Sequence, residues 1–317
     1  MPLRARTVEG RLVIVTSDAR PQPPLFIVGA PRSGTSLVYR ALALHPDASW
    51  INNYQRRLPG VSALAVLNRL GARRLDQRRA VWFGASGDNA YRYNTSRSLA
   101  ERFFPQPVEG EPVFEHCDVP EAWDGSPVTD KQRRLPGLLA RTTGRSGGRV
   151  LLSKRIGHNR RIGLLHKLIP QARFLDVTRD GRAVAYSLSR VDWWPEMPVW
   201  WWDDRTPQEW AAEGKDPLEL CARHWVEETR VIEEGLASVP AGSVLRIRYE
   251  DLVADPSRVL GEVAAFAGLD PDNAVWQAEL SKISFPDKNA AWNAEIPAEQ
   301  RAALAVMDDQ LNTMGYR

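Results

Sequence analysis

The sequence predicts an α/β protein of the P-loop type, a three-layer fold in which helices flank a central parallel sheet. Short apolar runs, typical of buried parallel strands, alternate along the chain with segments of helical periodicity. A glycine-bounded loop joins the first such strand to the first such helix. Because crossovers between parallel strands are right-handed, this alternation places helices on both faces of the sheet.

The first strand-loop-helix unit begins with the apolar run Leu25–Val28, which stops at Gly29. Apolar residues at 37, 41 and 44 then predict a helix over 36–44. Later strands are predicted at 149–153, 173–178 and 243–249, and later helices at 61–75, 160–169, 182–190 and 257–267.

Residues 50–148 differ in amino-acid composition from the rest of the chain. They are rich in Arg, Pro and Gly and contain much irregular chain. With 317 residues and 43% hydrophobic composition the chain can bury a large core, so we expect a single domain over 1–317. Residues 50–148 would then be a partly irregular insertion that covers a site.

The charge pattern favours a small anionic ligand. Charged residues make up 26% of the chain, the net charge is +3, and the arginines are spread along the sequence. We therefore expect no nucleic-acid partner. Cys117 and Cys221 are too few for a disulfide scaffold, which favours a reducing compartment.

The N-terminal region has only a short apolar stretch, Leu12–Val15, and no segment of the chain is long enough to span a bilayer. We predict a cytoplasmic protein without stable membrane insertion. The sequence leaves its oligomeric state open.

Residues 29–36 have the spacing of the phosphate loop of nucleotide triphosphatases, but Thr35 stands in place of the lysine. A triphosphatase needs that lysine and a magnesium ion on its phosphates. Backbone N–H groups at the helix start, together with Arg32, would instead hold a smaller anion. A glycine turn capped by a hydroxyl is the alternative.

Arg179 and Ser187 predict a second anion site. In a helix that starts near Asp180, Ser187 lies about two turns along and can share a face with Arg179, which ends a predicted strand. The alternative is an arginine paired with a surface carboxylate.

Three strings of the chain resemble the sulfotransferases that use 3'-phosphoadenosine-5'-phosphosulfate (PAPS), particularly the bacterial and protein-tyrosine branches. VGAPRSGTSLVYRALALHPD is similar to the family's 5'-phosphosulfate loop, and LIPQARFLDVTRDGRAVAYSLSR to its 3'-phosphate site. RYEDLVADP is similar to a later strand-and-turn motif. The resemblance covers most of the chain.

The resemblance implies a 5'-phosphosulfate site formed by Arg32, Ser33, Gly34, Thr35 and Ser36. It implies a 3'-phosphate site formed by Arg179 and Ser187, with Lys288 in a late loop that closes over it. Tyr249 would lie near the adenine.

Sulfuryl transfer is an in-line displacement at sulfur that releases adenosine-3',5'-bisphosphate. It needs cations near the bridging oxygen and a base for the acceptor hydroxyl, and it requires no metal. Arg32 is one candidate cation. Lys154, at the end of a predicted strand, resembles the family lysine that steadies the leaving group. A solvated lysine beside Arg155 is the alternative.

The base is predicted among several acids and histidines. Protein-tyrosine relatives carry a glutamate shortly after the HPD string, where this chain has Asn52 and Asn53. Glu109, in a proline-framed loop, ranks first, and His158, near the base histidine of the small-molecule branch, ranks second. The remaining candidates are Glu111, Glu115 and His116.

Residues 192–210 hold six of the 12 tryptophans. Flat aromatic faces suit sugar rings or phenols, so these side chains either line an acceptor pocket or pack a long loop onto the core. The absence of the protein-tyrosine glutamate favours a small-molecule or glycan acceptor, with residues 50–148 covering the acceptor site.

Two other functions fit parts of the sequence. A P-loop kinase or nucleotide hydrolase would need a magnesium-holding aspartate that ends a strand, for which Asp176 is the candidate. A non-catalytic nucleotide-binding module would need no base, which the Asn52-Asn53 pair allows.

Overall fold

A computed structural model describes residues 3–8, 11–16, 21–83 and 103–316. Residues 3–8 and 11–16 pair as an antiparallel hairpin, which the sequence did not predict. The strands are β1 Leu3–Val8, β2 Arg11–Thr16, β3 Leu25–Val28, β4 Ala48–Trp50, β5 Val150–Lys154, β6 Arg173–Thr178 and β7 Val244–Arg248.

The helices in the described ranges connect these strands and flank their sheet. The first eight are α1 Thr35–Ala43, α2 Asn53–Arg57, α3 Asn68–Arg73, α4 Leu75–Phe83, α5 Glu111–Glu115, α6 Leu135–Ser146, α7 Ile162–Leu168 and α8 Gly181–Ser189. The others are α9 Pro207–Ala212, α10 Pro217–Ala237, α11 Tyr249–Ala254, α12 Pro256–Ala267, α13 Ala274–Leu280, α14 Ala291–Glu295 and α15 Asp308–Thr313. Short 3-10 helices cover Ser62–Leu67, Gln132–Arg134, Ile156–Arg160, Trp194–Glu196, Ala241–Ser243 and Ala298–Met307.

Five strands form one sheet in the order β4-β5-β3-β6-β7, and every neighbouring pair is parallel. The predicted α/β class with a central parallel sheet is confirmed. All five strands end at the same edge of the sheet, which we call the carboxyl edge. Every loop that leaves this edge can contribute to one site.

Helices cover both faces of the sheet because its strands are apolar on both sides. In β3, Leu25 and Ile27 pack with α1 and α12, whereas Phe26 and Val28 pack with α6 and α7. All four side chains are buried. The alternation of side chains along a strand thus produces the three layers.

The structure adds elements that the sequence did not predict. β4 has only three residues and is defined by its pairing with β5. α6 lies within residues 50–148, where Gly137 and Gly144 weaken the helical signal, although Leu135, Leu138 and Leu139 enter the core. The predicted helix over 61–75 is divided between the Ser62–Leu67 3-10 helix and α3.

α10 is the longest helix of the described residues, with 21 residues. Asp216 caps its start by accepting the N–H of Leu218. Its buried face includes Trp225 and packs against α8. Within the ranges that the structure describes, no helix is both long and apolar enough to cross a membrane.

Gly181, the first residue of α8, leaves no space for a side chain. A Cβ there would lie 2.6 Å from Cδ2 of the buried Trp225. We expect Gly181→Ala to lower the free energy of unfolding by roughly 1–3 kcal/mol, since Trp225 would have to shift. Urea unfolding followed by circular dichroism measures this change.

Gly144→Ala is the matched control, because nothing lies within 4 Å of a Cβ at this exposed position of α6. There we expect a gain of roughly 0.5–1 kcal/mol from helix propensity. A Gly181→Ala protein as stable as the wild type would contradict the packing described for α8 and α10.

Candidate functional site

The loop between β3 and α1 starts at the carboxyl edge and is tightly enclosed. Gly29 has φ 148° and Gly34 has φ 92°, conformations that favour glycine. A Cβ on Gly29 would lie 2.5 Å from the carbonyl oxygen of Val177, and one on Gly34 would lie 2.7 Å from Cδ2 of Tyr249. Glycine at both positions therefore lets the main chain pass between its neighbours and present the free N–H groups of α1.

A buried amide holds the start of this loop. Asn159 accepts the Gly29 N–H (3.2 Å) and donates to the Gly29 carbonyl (3.1 Å). The same Asn159 Nδ2 donates to Glu228 Oε2 at 2.6 Å. Glu228 is fully buried, and burial raises the pKa of its carboxyl despite the nearby Arg160. One side chain thus fixes both main-chain groups of the residue where strand becomes loop.

The two predicted anion sites adjoin each other. Arg32, at φ 72°, donates from Nε to Ser187 Oγ at 3.0 Å. Arg179 donates from Nη1 to the Arg32 carbonyl at 2.9 Å. The predicted pair of Arg179 and Ser187 therefore meets the loop residue Arg32, and three residues distant in sequence are brought together.

Arg179 is held on several sides. Its Nε donates to Asn289 Oδ1 (2.9 Å) and its Nη2 to the Lys288 carbonyl (3.0 Å), while its guanidinium lies 4.3 Å from the Tyr249 ring centre. Burial lowers the pKa of Arg179, partly offset by Tyr249 and Glu250. This arginine does not pair with a surface carboxylate.

The Lys288 side chain is exposed, so Lys288 joins the site through its main chain. Asn289 in turn donates to Glu250 Oε1 at 2.7 Å, and Glu250 also accepts the N–H of Asp180 at 3.0 Å. The segment that follows β7 thereby fixes the segment that follows β6.

Lys154 and Glu109 form a close ion pair. Lys154, at the end of β5 and opposite Ile27 of β3, lies 2.6 Å from Glu109 Oε1 and is 5% exposed. Arg155 lies 3.1 Å from Glu109 Oε2. Burial raises the pKa of Glu109, but Lys154 and Arg155 outweigh it and leave the pKa below its ordinary value. The carboxylate is ionised at neutral pH.

His158 lies inside the protein. It is 0% exposed, between the rings of Phe26 and Phe114. Its Nδ1 accepts from Arg161 at 3.1 Å, so its Nε2 carries the proton and donates to Ser153 Oγ at 2.8 Å. Burial, with Arg161 next, holds the pKa of His158 well below its ordinary value. Both ring nitrogens are used within the fold.

Within the described residues, the remaining base candidates form no ion pair with Lys154, although Glu111 lies 3.4 Å from Arg155, which also contacts Glu109. Glu111 is buried and forms two 2.7 Å hydrogen bonds with Arg161, whereas Glu115 and His116 are exposed. Asn52 is 0% exposed; it caps α2 and donates from Nδ2 to Asn68 Oδ1 at 2.7 Å. Asn52 thus has a structural role at the start of α2.

The tryptophan-rich segment packs mainly against the core. Trp194 and Trp210 are buried in the cluster that includes α8 and α10. Trp200 donates to Glu228 Oε1 at 2.8 Å, and its ring lies 5.2 Å from the Arg160 guanidinium. The packing interpretation describes most of these rings, and Trp200 links the segment to the residues that hold Gly29.

Asp176 is not placed to hold magnesium as a kinase aspartate would. It lies within β6, is 3% exposed and pairs with Arg246 at 2.7 Å. Burial raises the pKa of Asp176 to about 6 despite Arg246. In the described parts of the chain, no three His, Cys, Asp or Glu side chains are grouped as a metal site.

Four site residues were missed from the sequence. Glu250 and Asn289 directly follow the predicted Tyr249 and Lys288, so their position was a usable signal. Asn159 lies five residues after Lys154 in a short polar run, and Glu228 lies in a long charged helix. Neither of these last two has a distinguishing local pattern.

Comparison with known proteins gives consistent results. A profile described as the sulfotransferase family matches residues 23–273. A protein-tyrosine sulfotransferase of Drosophila melanogaster is 22% identical over 324 residues, which cover 95% of this chain and 53% of that protein. The chain thus spans about half the length of the curated relative that it matches.

Two solved bacterial structures share the fold. Sulfotransferase STF9 of Mycobacterium avium superposes with a TM-score of 0.56 at 17% identity, covering 95% of this chain and 79% of that one. Sulfotransferase STF1 of Mycobacterium tuberculosis H37Rv gives a TM-score of 0.52 at 15% identity, covering 91% of this chain and 78% of that one. At such identities the likeness concerns the fold alone.

The buried network below the loop predicts a large effect at position 228. Glu228→Ala leaves one N–H of the Asn159 amide and the buried N–H of Trp200 without an acceptor, removes the carboxylate beside Arg160, and should lower the free energy of unfolding by roughly 3–5 kcal/mol. Glu228→Gln keeps the size and one acceptor oxygen, so we expect a loss of roughly 1–3 kcal/mol. Urea denaturation measures both.

Glu227→Ala is the control for this helix, since Glu227 is partly exposed and pairs only with Arg230 in the described residues. Its effect should stay within about 0.5 kcal/mol. If Glu228→Ala were no more destabilising than this control, the network would not support the loop.

Proposed function

This chain belongs to the sulfotransferase family, and we propose that it transfers the sulfuryl group of PAPS to a hydroxyl of a small molecule or a glycan. The observation that carries the proposal is the 2.6 Å contact between Lys154 and Glu109 at the carboxyl edge, beside the loop that starts at Gly29. It joins a cation for the leaving group to a carboxylate base for the acceptor.

The donor would lie along the carboxyl edge. The N–H groups at the start of α1, with Arg32, would bind the 5'-phosphosulfate. Arg179 and Ser187, which Arg32 already contacts, would bind the 3'-phosphate. Tyr249, whose ring lies against both Gly34 and Arg179, is suitably placed to contact the adenine.

In the transfer step, the acceptor oxygen attacks sulfur while the bond from sulfur to the bridging oxygen breaks. Adenosine-3',5'-bisphosphate leaves with the electron pair of that bond. Glu109 takes the proton of the acceptor hydroxyl. Lys154 and Arg32 stabilise the negative charge that develops on the leaving phosphate.

The ion pair also gives donor binding a role in freeing the base. Lys154 and Glu109 form an ion pair in the structure. An arriving phosphosulfate would attract the Lys154 ammonium, and Glu109 would then be available to the acceptor while Arg155 keeps it in place through Oε2. Proton removal from the acceptor would thus follow donor binding.

The contacts favour Glu109 over His158 as the base. Glu109 is partly exposed and borders the cation that would meet the donor, whereas His158 is enclosed by two phenyl rings. The acceptor would accordingly enter beside residues 105–111, so we also propose that part of 50–148 forms a wall of the acceptor site. Asn52 at the α2 cap disfavours the peptide-tyrosine mechanism.

Thermal denaturation tests the donor site. Saturating adenosine-3',5'-bisphosphate should raise the Tm by roughly 5–10 °C, the shift expected of a ligand held at about 100 times its Kd. ATP with magnesium should give a much smaller shift. The double variant Arg32→Ala, Arg179→Ala should lose the response to bisphosphate.

Arg223→Ala with Arg230→Ala is the matched control, because both arginines lie on the outside of α10 in pairs with neighbouring glutamates. This variant should respond like the wild type. A rise in Tm with ATP and magnesium alone would contradict the proposed sulfuryl transfer and favour a kinase.

The base assignment is tested at Glu109. Glu109→Gln should lower kcat roughly 10²- to 10⁴-fold, because the amide cannot take a proton. Its Tm should still rise with adenosine-3',5'-bisphosphate. The measurement is transfer of labelled sulfate from PAPS to the best acceptor found among phenols and glycans.

Glu115→Gln serves as control, since Glu115 is an exposed acid in neighbouring α5. It should retain wild-type kcat. If Glu109→Gln kept kcat within threefold of the wild type, another group would be the base.

A further inference from the structure

The exposed side chains of residues 56–74 form a surface that we call the outer ridge. It comprises the last two residues of α2, the turn that follows, the 3-10 helix Ser62–Leu67, α3 and Arg74. Its inner side is small or polar and buried at every third position, at Ser62, Ala65, Asn68 and Gly71. This spacing matches one face of a 3-10 helix, so the positions between them face outward.

The outward positions are unusually apolar. Leu58, Val61, Val66 and Leu70 are 56%, 45%, 47% and 52% exposed. Seven large apolar residues in the described ranges are at least 36% exposed, and these four fall within 13 residues of sequence. Exposed apolar residues that are concentrated in one region indicate an interaction surface, whereas scattered ones are common on any protein surface.

The same surface is strongly basic. Arg56, Arg57, Arg69, Arg73 and Arg74 are exposed, and residues 48–75 contain no acidic residue. Within the described part of the chain, none of these five forms an ion pair. Exposed arginines elsewhere, such as Arg230 and Arg258, pair with neighbouring glutamates. The ridge therefore presents unneutralised positive charge around its apolar centre.

The ridge is attached to the segment that carries Glu109. Asn68 donates to the Trp50 carbonyl at 2.8 Å and accepts from Asn52 at 2.7 Å. Asn52 forms an isolated bridge with Pro107, and Val108 donates its N–H to the Ile51 carbonyl at 3.0 Å. A surface bound to the ridge would therefore lie on the acceptor side of the molecule.

We propose that the outer ridge docks on the surface of an anionic lipid bilayer. A bilayer interface offers negative headgroups and an apolar layer in one plane, which matches arginines flanking an apolar centre. The apolar side chains stand on a turn and on a helix surface, and they would insert between headgroups while the arginines contact phosphates. Resting on the proposed function, the acceptor hydroxyl would then belong to a lipid headgroup or a lipid-linked glycan.

Vesicle co-sedimentation tests the docking without donor or acceptor, so its outcome is independent of the transferase proposal. The full chain should bind vesicles of phosphatidylcholine with about one third phosphatidylglycerol and should not bind pure phosphatidylcholine. Since each arginine near an anionic surface contributes about a fivefold change in binding, Arg69→Gln, Arg73→Gln, Arg74→Gln should weaken binding roughly 100-fold. Binding of the wild type should fall as salt is raised.

Two further variants separate the contributions. Val66→Ser with Leu70→Ser should weaken binding roughly 10-fold while leaving its salt dependence in place, because the charges remain. Arg230→Gln with Arg258→Gln, at paired arginines on α10 and α12, should bind like the wild type. Urea midpoints of all variants should match that of the wild type, since every site is on the surface.

Three results would overturn the proposal. One is failure of the wild type to bind anionic vesicles, and another is equal binding to neutral vesicles. The third is a wild-type protein that forms dimers in sedimentation velocity experiments which the triple arginine variant does not form, because the ridge would then be an interface between two copies of the chain.

Discussion

The position of Gly29 depends on one amide. Asn159 satisfies the N–H and the carbonyl of this residue, where β3 gives way to the loop and where neither group has a partner in the sheet ladder. Main-chain groups buried without partners cost several kcal/mol, so the loop keeps its conformation only while this side chain is in place. Glu228 orients Asn159, and Trp200 with Arg160 completes the network. The geometry of the loop between β3 and α1 is therefore set by a network of side chains packed beneath it.

The charged side chains of the site are balanced by partners within the protein. Lys154 is almost wholly buried and is compensated by Glu109, while Arg179 is compensated by carbonyl and amide oxygens together with a tyrosine ring. Buried cations of this kind are stable only with such partners. The two cations differ in the kind of partner, because the carboxylate beside Lys154 can also receive a proton, whereas the neutral oxygens around Arg179 cannot. In the proposed transfer, the two arginines would bind the donor, and Lys154 would act on the leaving group beside its base.

The sequence was sufficient for the main elements because strands with apolar residues on both faces and a glycine-bounded loop have strong local patterns. Arg32, Ser187 and Arg179 were predicted from these patterns and lie together. β4 was not predicted, because three residues become a strand only through pairing with β5. Asn159 and Glu228 lacked a signal for a similar reason, since their importance comes from Gly29, 130 positions distant from Asn159. His158 was predicted as a candidate base, but its burial between Phe26 and Phe114 results from packing that its sequence neighbours do not reveal.

The short β4 has a consequence for how such a protein can diversify. Only three residue pairs join β4 to the rest of the sheet, and the chain that carries Glu109 and the outer ridge begins immediately after it. The loop between β3 and α1, by contrast, is attached to the central strand and to the buried network beneath it. Changes in the exposed loops between β4 and α6 would therefore act at an edge of the sheet, whereas changes around β3 would act at its centre. The exposed loops beside Glu109 can therefore vary in length without altering the central strand from which the loop at Gly29 begins.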